Sequence, residues 1–296
     1  MLYILYPLNA LLMIGMPIAL AVWLARKTKA PWRLFGVGAV TFIGSQVVHL
    51  PLNAGLTALF KVIWPSASAQ PQWWHLPFNA LVLGLTAGLC EETARYAGYR
   101  WLAKKARAYR DALMLGAGHG GTEAIILGGL VVIGFVNMVV LRNTDLGALG
   151  LTGNLLTQTQ NKVAAYWSAP GYIAILGAVE RLFSIPIQVS LSVLVLQVFT
   201  CNDWRWLVVA IGYHLIVDGM AVVGVYSKWP PLLIEATVAA FALVSVGIIL
   251  GLRPRGEPLI PPEPEPVLVS GASDTPRLAS NRSADASHQL DDSKFV

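Results

Sequence analysis

Charge is scarce in this chain. Only 12% of its residues are Asp, Glu, Lys or Arg, against 55% hydrophobic, and the mean hydropathy is +0.60. Soluble domains carry about 25% charged residues, so the composition excludes an ordinary water-soluble domain and makes the lipid bilayer the expected surrounding. Cysteine is nearly absent: Cys90 and Cys201 cannot form a disulfide framework and lack the paired spacing of a metal knuckle. No repeat at a solenoid period is visible, and no HExxH zinc-protease signature occurs. The net charge of +5 does not imply a nucleic-acid partner. Its lysines and arginines cluster beside apolar segments, where they set membrane orientation.

Long apolar runs are plentiful. Seven reach spanning length, at about 3–25, 35–60, 77–100, 111–140, 170–200, 205–226 and 231–252. They are continuous rather than alternating, so they predict helices, which satisfy their own backbone in lipid. The fold class expected is all-α, a polytopic membrane bundle of about seven transmembrane helices over residues 1–252. The first run has no basic stretch before it and no small-residue cleavage site after it, so a retained span is expected rather than a signal peptide. The fifth is too long for one straight crossing, and Pro186 is expected to bend it.

The loops predict orientation. Arg26, Lys27, Lys29 and Arg33 follow the first span, and Arg100, Lys104, Lys105, Arg107 and Arg110 follow the third. The alternate loops hold few basic residues, which places the N-terminus outside and the C-terminus in the cytoplasm. Residues 253–296, rich in Pro, Ser and Asp, read as a disordered cytoplasmic tail. The stretch Arg142–Ala169, containing "TQTQNK", reads as a long, solvated external loop.

Against this background, ionisable residues inside spans three to six stand out. The third carries "CEETARY", with Glu91, Glu92 and Arg95; the fourth carries "GAGHGGTE", with His119 and Glu123. The fifth has Glu180 and Arg181, and the sixth has "HLIVD", with His214 and Asp218. Such groups are costly in lipid and mark functional sites or buried pairs. At a rise of 1.5 Å per residue, Glu92, His119 and His214 each lie about 12–13 Å from the basic end of their helix. Three helices therefore place polar groups in one layer, and those groups are expected to converge.

Glu91–Arg95, His119–Glu123 and His214–Asp218 are each four residues apart, so each pair shares a helical face. Glu91 and Glu92 diverge by about 100° and cannot play one role; one can pair with Arg95 while the other faces the site. Two carboxylates this close disfavour each other's charge, which suits one of them to serve as a general base. Gly116, Gly118, Gly120 and Gly121 would let another backbone, or an extended substrate, approach the fourth helix.

Plainer roles exist for each part. Glu91–Arg95 can be structural glue, and a membrane His beside a carboxylate can relay protons. Glu180 and Arg181, as sequence neighbours, are expected to point apart and to need separate, structural partners. His49 and Glu235 read as cap or interface residues, and Cys90 as a small apolar filler.

The ordered pattern "EExxR … HGGTE … HxxxD" resembles the superfamily of type II CAAX prenyl endopeptidases, PrsW-like proteases and their relatives. Within it, "CEETARY", "GAGHGGTEAI", "ER" and "GYHLIVDG" are most similar to the YhfC branch of intramembrane metalloproteases, over Pro77 to Val225. The resemblance implies a helical membrane protease in which a glutamate of the first motif activates water. Glu91 and Glu92 match the double-glutamate motif, Arg95 its basic position, and His214 and Asp218 the final motif. Glu123 stands where CAAX-type members have His, so His119, one turn away, is the residue that would substitute.

Two chemistries are open to these residues. With a metal, His119, His214 and the carboxylate of Glu123 would bind zinc and leave a position for acidified water. Without one, Glu91 or Glu92 would deprotonate water while His214, fixed by Asp218, stabilises the oxyanion. The substrate would be a membrane protein or peptide. The rival readings are a proton-coupled carrier and a non-catalytic membrane scaffold.

Overall fold

A computed structural model of the protein describes residues 1–63 and 74–254. Their α-helices are α1 (Leu2–Thr28), α2 (Arg33–Ile63), α3 (His75–Ala97), α4 (Tyr109–Arg142), α5 (Gly153–Ser168), α6 (Leu176–Thr200), α7 (Arg205–Tyr226) and α8 (Pro231–Gly251). No strand occurs among the described residues. Six helices, α1, α2, α4, α6, α7 and α8, are long and apolar enough to cross a membrane. The protein is a multi-pass helical bundle.

The remaining expected crossing is α3. Its 23 residues would extend about 35 Å, enough for a hydrocarbon core of about 30 Å. His75, Asn79, Glu91, Glu92 and Arg95 dilute its apolar character, and it packs on α7 and α2. Partner helices therefore cover one side of the span with the least intrinsic affinity for lipid, while Leu81, Leu85 and Leu89 stay exposed.

One sequence expectation is corrected and another is refined. The stretch Arg142–Ala169 is not simply a loop, because Gly153–Ser168 is the helix α5. No residue of α5 is buried, which fits its polar composition. Tyr166 and Trp167 on it stack on Tyr6 and Tyr3 of α1, with ring centroids 4.2 and 4.4 Å apart. Aromatic side chains of this kind favour the membrane–water boundary, and they give a weakly apolar segment its helix. The fifth run, expected to be too long for one straight crossing, divides into a 3₁₀ turn at Ile173–Ile175 and the 25-residue α6. That helix continues through Pro186. The tail expected from residue 253 lies, from 255 onward, outside the described residues.

At the centre is α4, packed on α1, α2 and α6. Every residue from Asp111 to Thr122 is buried. Close approach requires its glycines. A Cβ on Gly116 would come within 2.7 Å of the Val189 Cα of α6, and one on Gly118 would strike the backbone of Phe35 on α2. These glycines admit neighbouring helices, which is the small-residue packing of membrane bundles. The same device joins α3 to α7: a Cβ on Gly84 would meet the Leu215 carbonyl at 2.6 Å, and one on Gly88 the Ile211 carbonyl at 2.9 Å. Gly88 lies one turn before Glu92, so this contact delivers the glutamate pair to His214.

Candidate active site

The structure gives the two adjacent glutamates different environments. Glu92 is fully buried, is paired with Arg95 through the guanidinium Nη1, and accepts a hydrogen bond from His214 Nδ1 at 2.6 Å. Arg95 Nη2 lies 3.8 Å from Glu91 Oε2, so the tighter ion pair is with Glu92, one turn away at i,i+3, rather than with Glu91 at i,i+4. The arginine's other strong contact is the Gln188 side-chain carbonyl. Arg95 is itself fully buried; both partners are needed to offset taking its charge out of water.

Glu91 faces the histidines. Its Oε2 is 3.1 Å from His119 Nε2 and 3.9 Å from His214 Nε2, while Oε1 accepts a hydrogen bond from Gln46 Nε2 at 3.2 Å. His214 Nε2 also lies 3.4 Å from Asp218 Oδ2, so Asp218 shares the centre from one turn along α7. The Asp218 side chain is 40% exposed whereas that of Glu91 is 8% exposed. The cluster is thus sealed at Glu92 and Arg95 and opens on the Asp218 side.

Glu123 lies elsewhere. Its oxygens accept from Arg181 Nη1 at 2.6 Å and Gln188 Nε2 at 2.9 Å. Glu91, not Glu123, is the carboxylate lying between the two imidazoles, although His119 and Glu123 share a helical spacing. Glu180 and Arg181 do not point apart as their adjacency suggested, because Arg181 Nη2 pairs with Glu180. A long arginine stem and a forked head let one side chain hold carboxylates of two helices. His49 joins α2 to α3, with Nε2 2.8 Å from Asn53 Nδ2 and 3.4 Å from Thr86 Oγ1.

Three neutral residues complete the network, and motif reasoning overlooked all three. Gln188 of α6 links Arg95 to Glu123. Gln46 and Thr41 of α2 meet Glu91 and His119, the latter with Oγ1 2.9 Å from Nδ1. Their signal was an amide or hydroxyl inside an apolar run, where interhelical hydrogen bonding is the expected use.

Does this centre suit a metal ion? Each imidazole has Nδ1 on an oxygen, Thr41 for His119 and Glu92 for His214, and its Nε2 near Glu91. Metal-binding histidines are oriented in this manner by an outer contact on the second nitrogen. The spacings of 3.1, 3.4 and 3.9 Å bracket the roughly 3.4 Å between ligands of a tetrahedral ion with bonds of about 2.1 Å. The donors fit in kind. Among the described residues, however, no three of His, Cys, Asp and Glu already form a cage.

Comparison with known proteins agrees with the polar motifs. A family model described as YhfC intramembrane metalloprotease matches residues 12–239. The uncharacterized membrane protein YhfC of Bacillus subtilis is 30% identical over 212 residues, covering 70% of this chain and 79% of that protein. No solved structure matches.

Proposed function

The chain belongs to the YhfC family, and from that premise we propose that it is an intramembrane endopeptidase whose Glu91 activates the water that cleaves a peptide bond. One observation carries this reading: Glu91 Oε2 lies within 3.9 Å of the Nε2 atoms of both His119 and His214. Three helices supply those groups at one depth, as a buried site requires. The substrate is a membrane protein or peptide, reaching the centre from the more exposed Asp218 side.

In the reaction, Glu91 takes a proton from water as the water oxygen bonds to the peptide carbonyl carbon. The carbon–nitrogen bond then breaks, and the proton passes to the leaving amine, which departs from the new carboxylate. Glu92 holds His214 through Nδ1, and Arg95 holds Glu92, so the imidazole stays aimed at the developing oxyanion. A zinc ion, where bound, would be held by His119 and His214 with Asp218 completing the donors, and would supply Lewis acidity and a more acidic water. Arg181, Glu180, Glu123 and Gln188 support the centre from α4 and α6.

Orientation belongs to the same proposal: N-terminus outside, C-terminal tail cytoplasmic. Arg110 Nη1 reaches the Thr28 carbonyl at 3.5 Å and Tyr109 Oη the Ile249 carbonyl at 2.5 Å. These contacts support one common end for the basic loops and the start of the tail, and basic loops face the cytoplasm.

A scaffold role is the second reading, favoured by the burial of Glu92 and Arg95 and by the engagement of both Glu91 oxygens. Glu91→Gln separates the two. Gln preserves volume and removes basicity, so cleavage of a membrane-embedded substrate should fall about 10²–10⁴-fold while the protein stays folded. Wild-type cleavage by both Glu91→Gln and Glu92→Gln would assign the glutamates to structure.

A further inference from the structure

The hydroxyl of Thr41 on α2 has one proton and two neighbours. It lies 2.7 Å from the Gly38 carbonyl, one turn back on its own helix, and 2.9 Å from His119 Nδ1. Four other buried hydroxyls in the bundle, those of Thr28, Ser45, Thr122 and Ser190, also donate to a carbonyl of the preceding turn at 2.7 Å. Such bonding is the ordinary habit of Ser and Thr within helices. With its proton on Gly38, as in those four, Thr41 Oγ1 is left to accept from His119 Nδ1.

The rotamer is held as well. Thr41 Cγ2 packs against Gly98, where an added Cβ would approach it to 2.5 Å, and the methyl therefore occupies the α3 side. Phe42, the next residue of α2, meets the His119 ring edge-on, with centroids 5.3 Å apart. Thr41 and His119 are both buried, so water does not compete for these contacts.

We propose that Thr41 is a positioning residue that sets the tautomer of His119, keeping the proton on Nδ1 and leaving the Nε2 lone pair aimed at Glu91. The inference rests on the reading of Glu91, His119 and His214 as the reaction centre. Its consequence is specific. A neutral imidazole beside a carboxylate 3.1 Å away would otherwise put its proton on Nε2 and donate to Glu91, forming a closed hydrogen bond. Thr41 opposes that arrangement, so the 3.1 Å contact between Nε2 and Glu91 Oε2 is one that a proton or a cation must bridge. Such a pair receives a proton from water or shares a cation, which the closed arrangement would prevent.

Histidine ¹⁵N NMR of the full-length, metal-free protein in detergent tests this, with the His119 signal identified by its loss in His119→Gln. In the wild type the protonated nitrogen should be Nδ1. Thr41→Val keeps shape and the Gly98 contact but loses the acceptor, and the proton should move to Nε2. Thr41→Ser should restore the wild-type pattern. Peptide cleavage should fall about 10–100-fold in Thr41→Val and recover in Thr41→Ser, as for other outer contacts to active histidines. A wild-type Nε2–H tautomer, or an Nδ1–H tautomer that survives Thr41→Val, overturns the proposal. The NMR readout needs no activity, so failure of the protease reading would leave the tautomer result intact.

Discussion

Replacing Arg95 by Ala removes the guanidinium that contacts both glutamates of α3. The side chain is fully buried, with Nη1 on Glu92 and Nη2 on Gln188, and Glu92 is fully buried too. The variant leaves Glu92 as a buried anion with His214 as its remaining partner, and leaves the Gln188 carbonyl without its donor. Breaking a buried pair from one side costs about 3–5 kcal/mol. At about 2–4 °C per kcal/mol for a chain of this size, melting should fall by about 6–20 °C. The 10 tryptophans allow the transition to be followed by intrinsic fluorescence in detergent. The reasoning also requires coupling: Arg95→Ala combined with Glu92→Gln should be more stable than Arg95→Ala alone by about 1–3 kcal/mol, because the stranded charge is gone. Wild-type melting for Arg95→Ala, or a double variant that loses the sum of the two single effects, would refute a buried ion pair as the source of stability.

Gly118→Ala should lower stability by about 1–3 kcal/mol through overpacking, since its Cβ would strike Phe35 of α2, whereas Gly129→Ala on the same helix meets open space and should be neutral or stabilising; paired thermal melts check this. Cys201, free and exposed at the α6–α7 turn, should react with a membrane-impermeant thiol reagent from the cytoplasmic side, and a cysteine at exposed Leu149 from the outer side. Labelling of both from one side would overturn the proposed orientation.

The spans were legible because length and continuous apolarity are local properties, and each expected run contains a helix. What escaped was set by partners. The helix α5 has too little apolar character to declare itself, and its aromatic residues find Tyr3 and Tyr6 only in the fold. In the site, helical spacing placed His214 with Asp218 and Arg95 within 3.8 Å of Glu91, but it left the tightest partners unset. Arg95 pairs with Glu92 in preference to Glu91, and Glu123 is drawn to Arg181 and Gln188, away from His119. Spacing fixes a helical face; which neighbour that face meets depends on interhelical rotation. Thr41, Gln46 and Gln188 carry no charge, so nothing in composition marked them, although each bonds to a titratable group of another helix.

The polar third helix bears on how the protein is made. As α3 leaves the ribosome it carries Glu91, Glu92 and Arg95, and charged groups within a span disfavour insertion, by up to about 2.5–3.5 kcal/mol each at its centre. Arg95 and Glu92 relieve part of this within the segment. The other contacts come from Gln46 on the preceding helix, and from His119, Gln188 and His214 on helices not yet synthesised. Chains truncated before α7 should therefore hold α3 poorly in the bilayer, and completion of α7, which brings His214 to Glu92, should secure it. The residues that assemble the proposed reaction centre would also make biogenesis of this span depend on the order of translation.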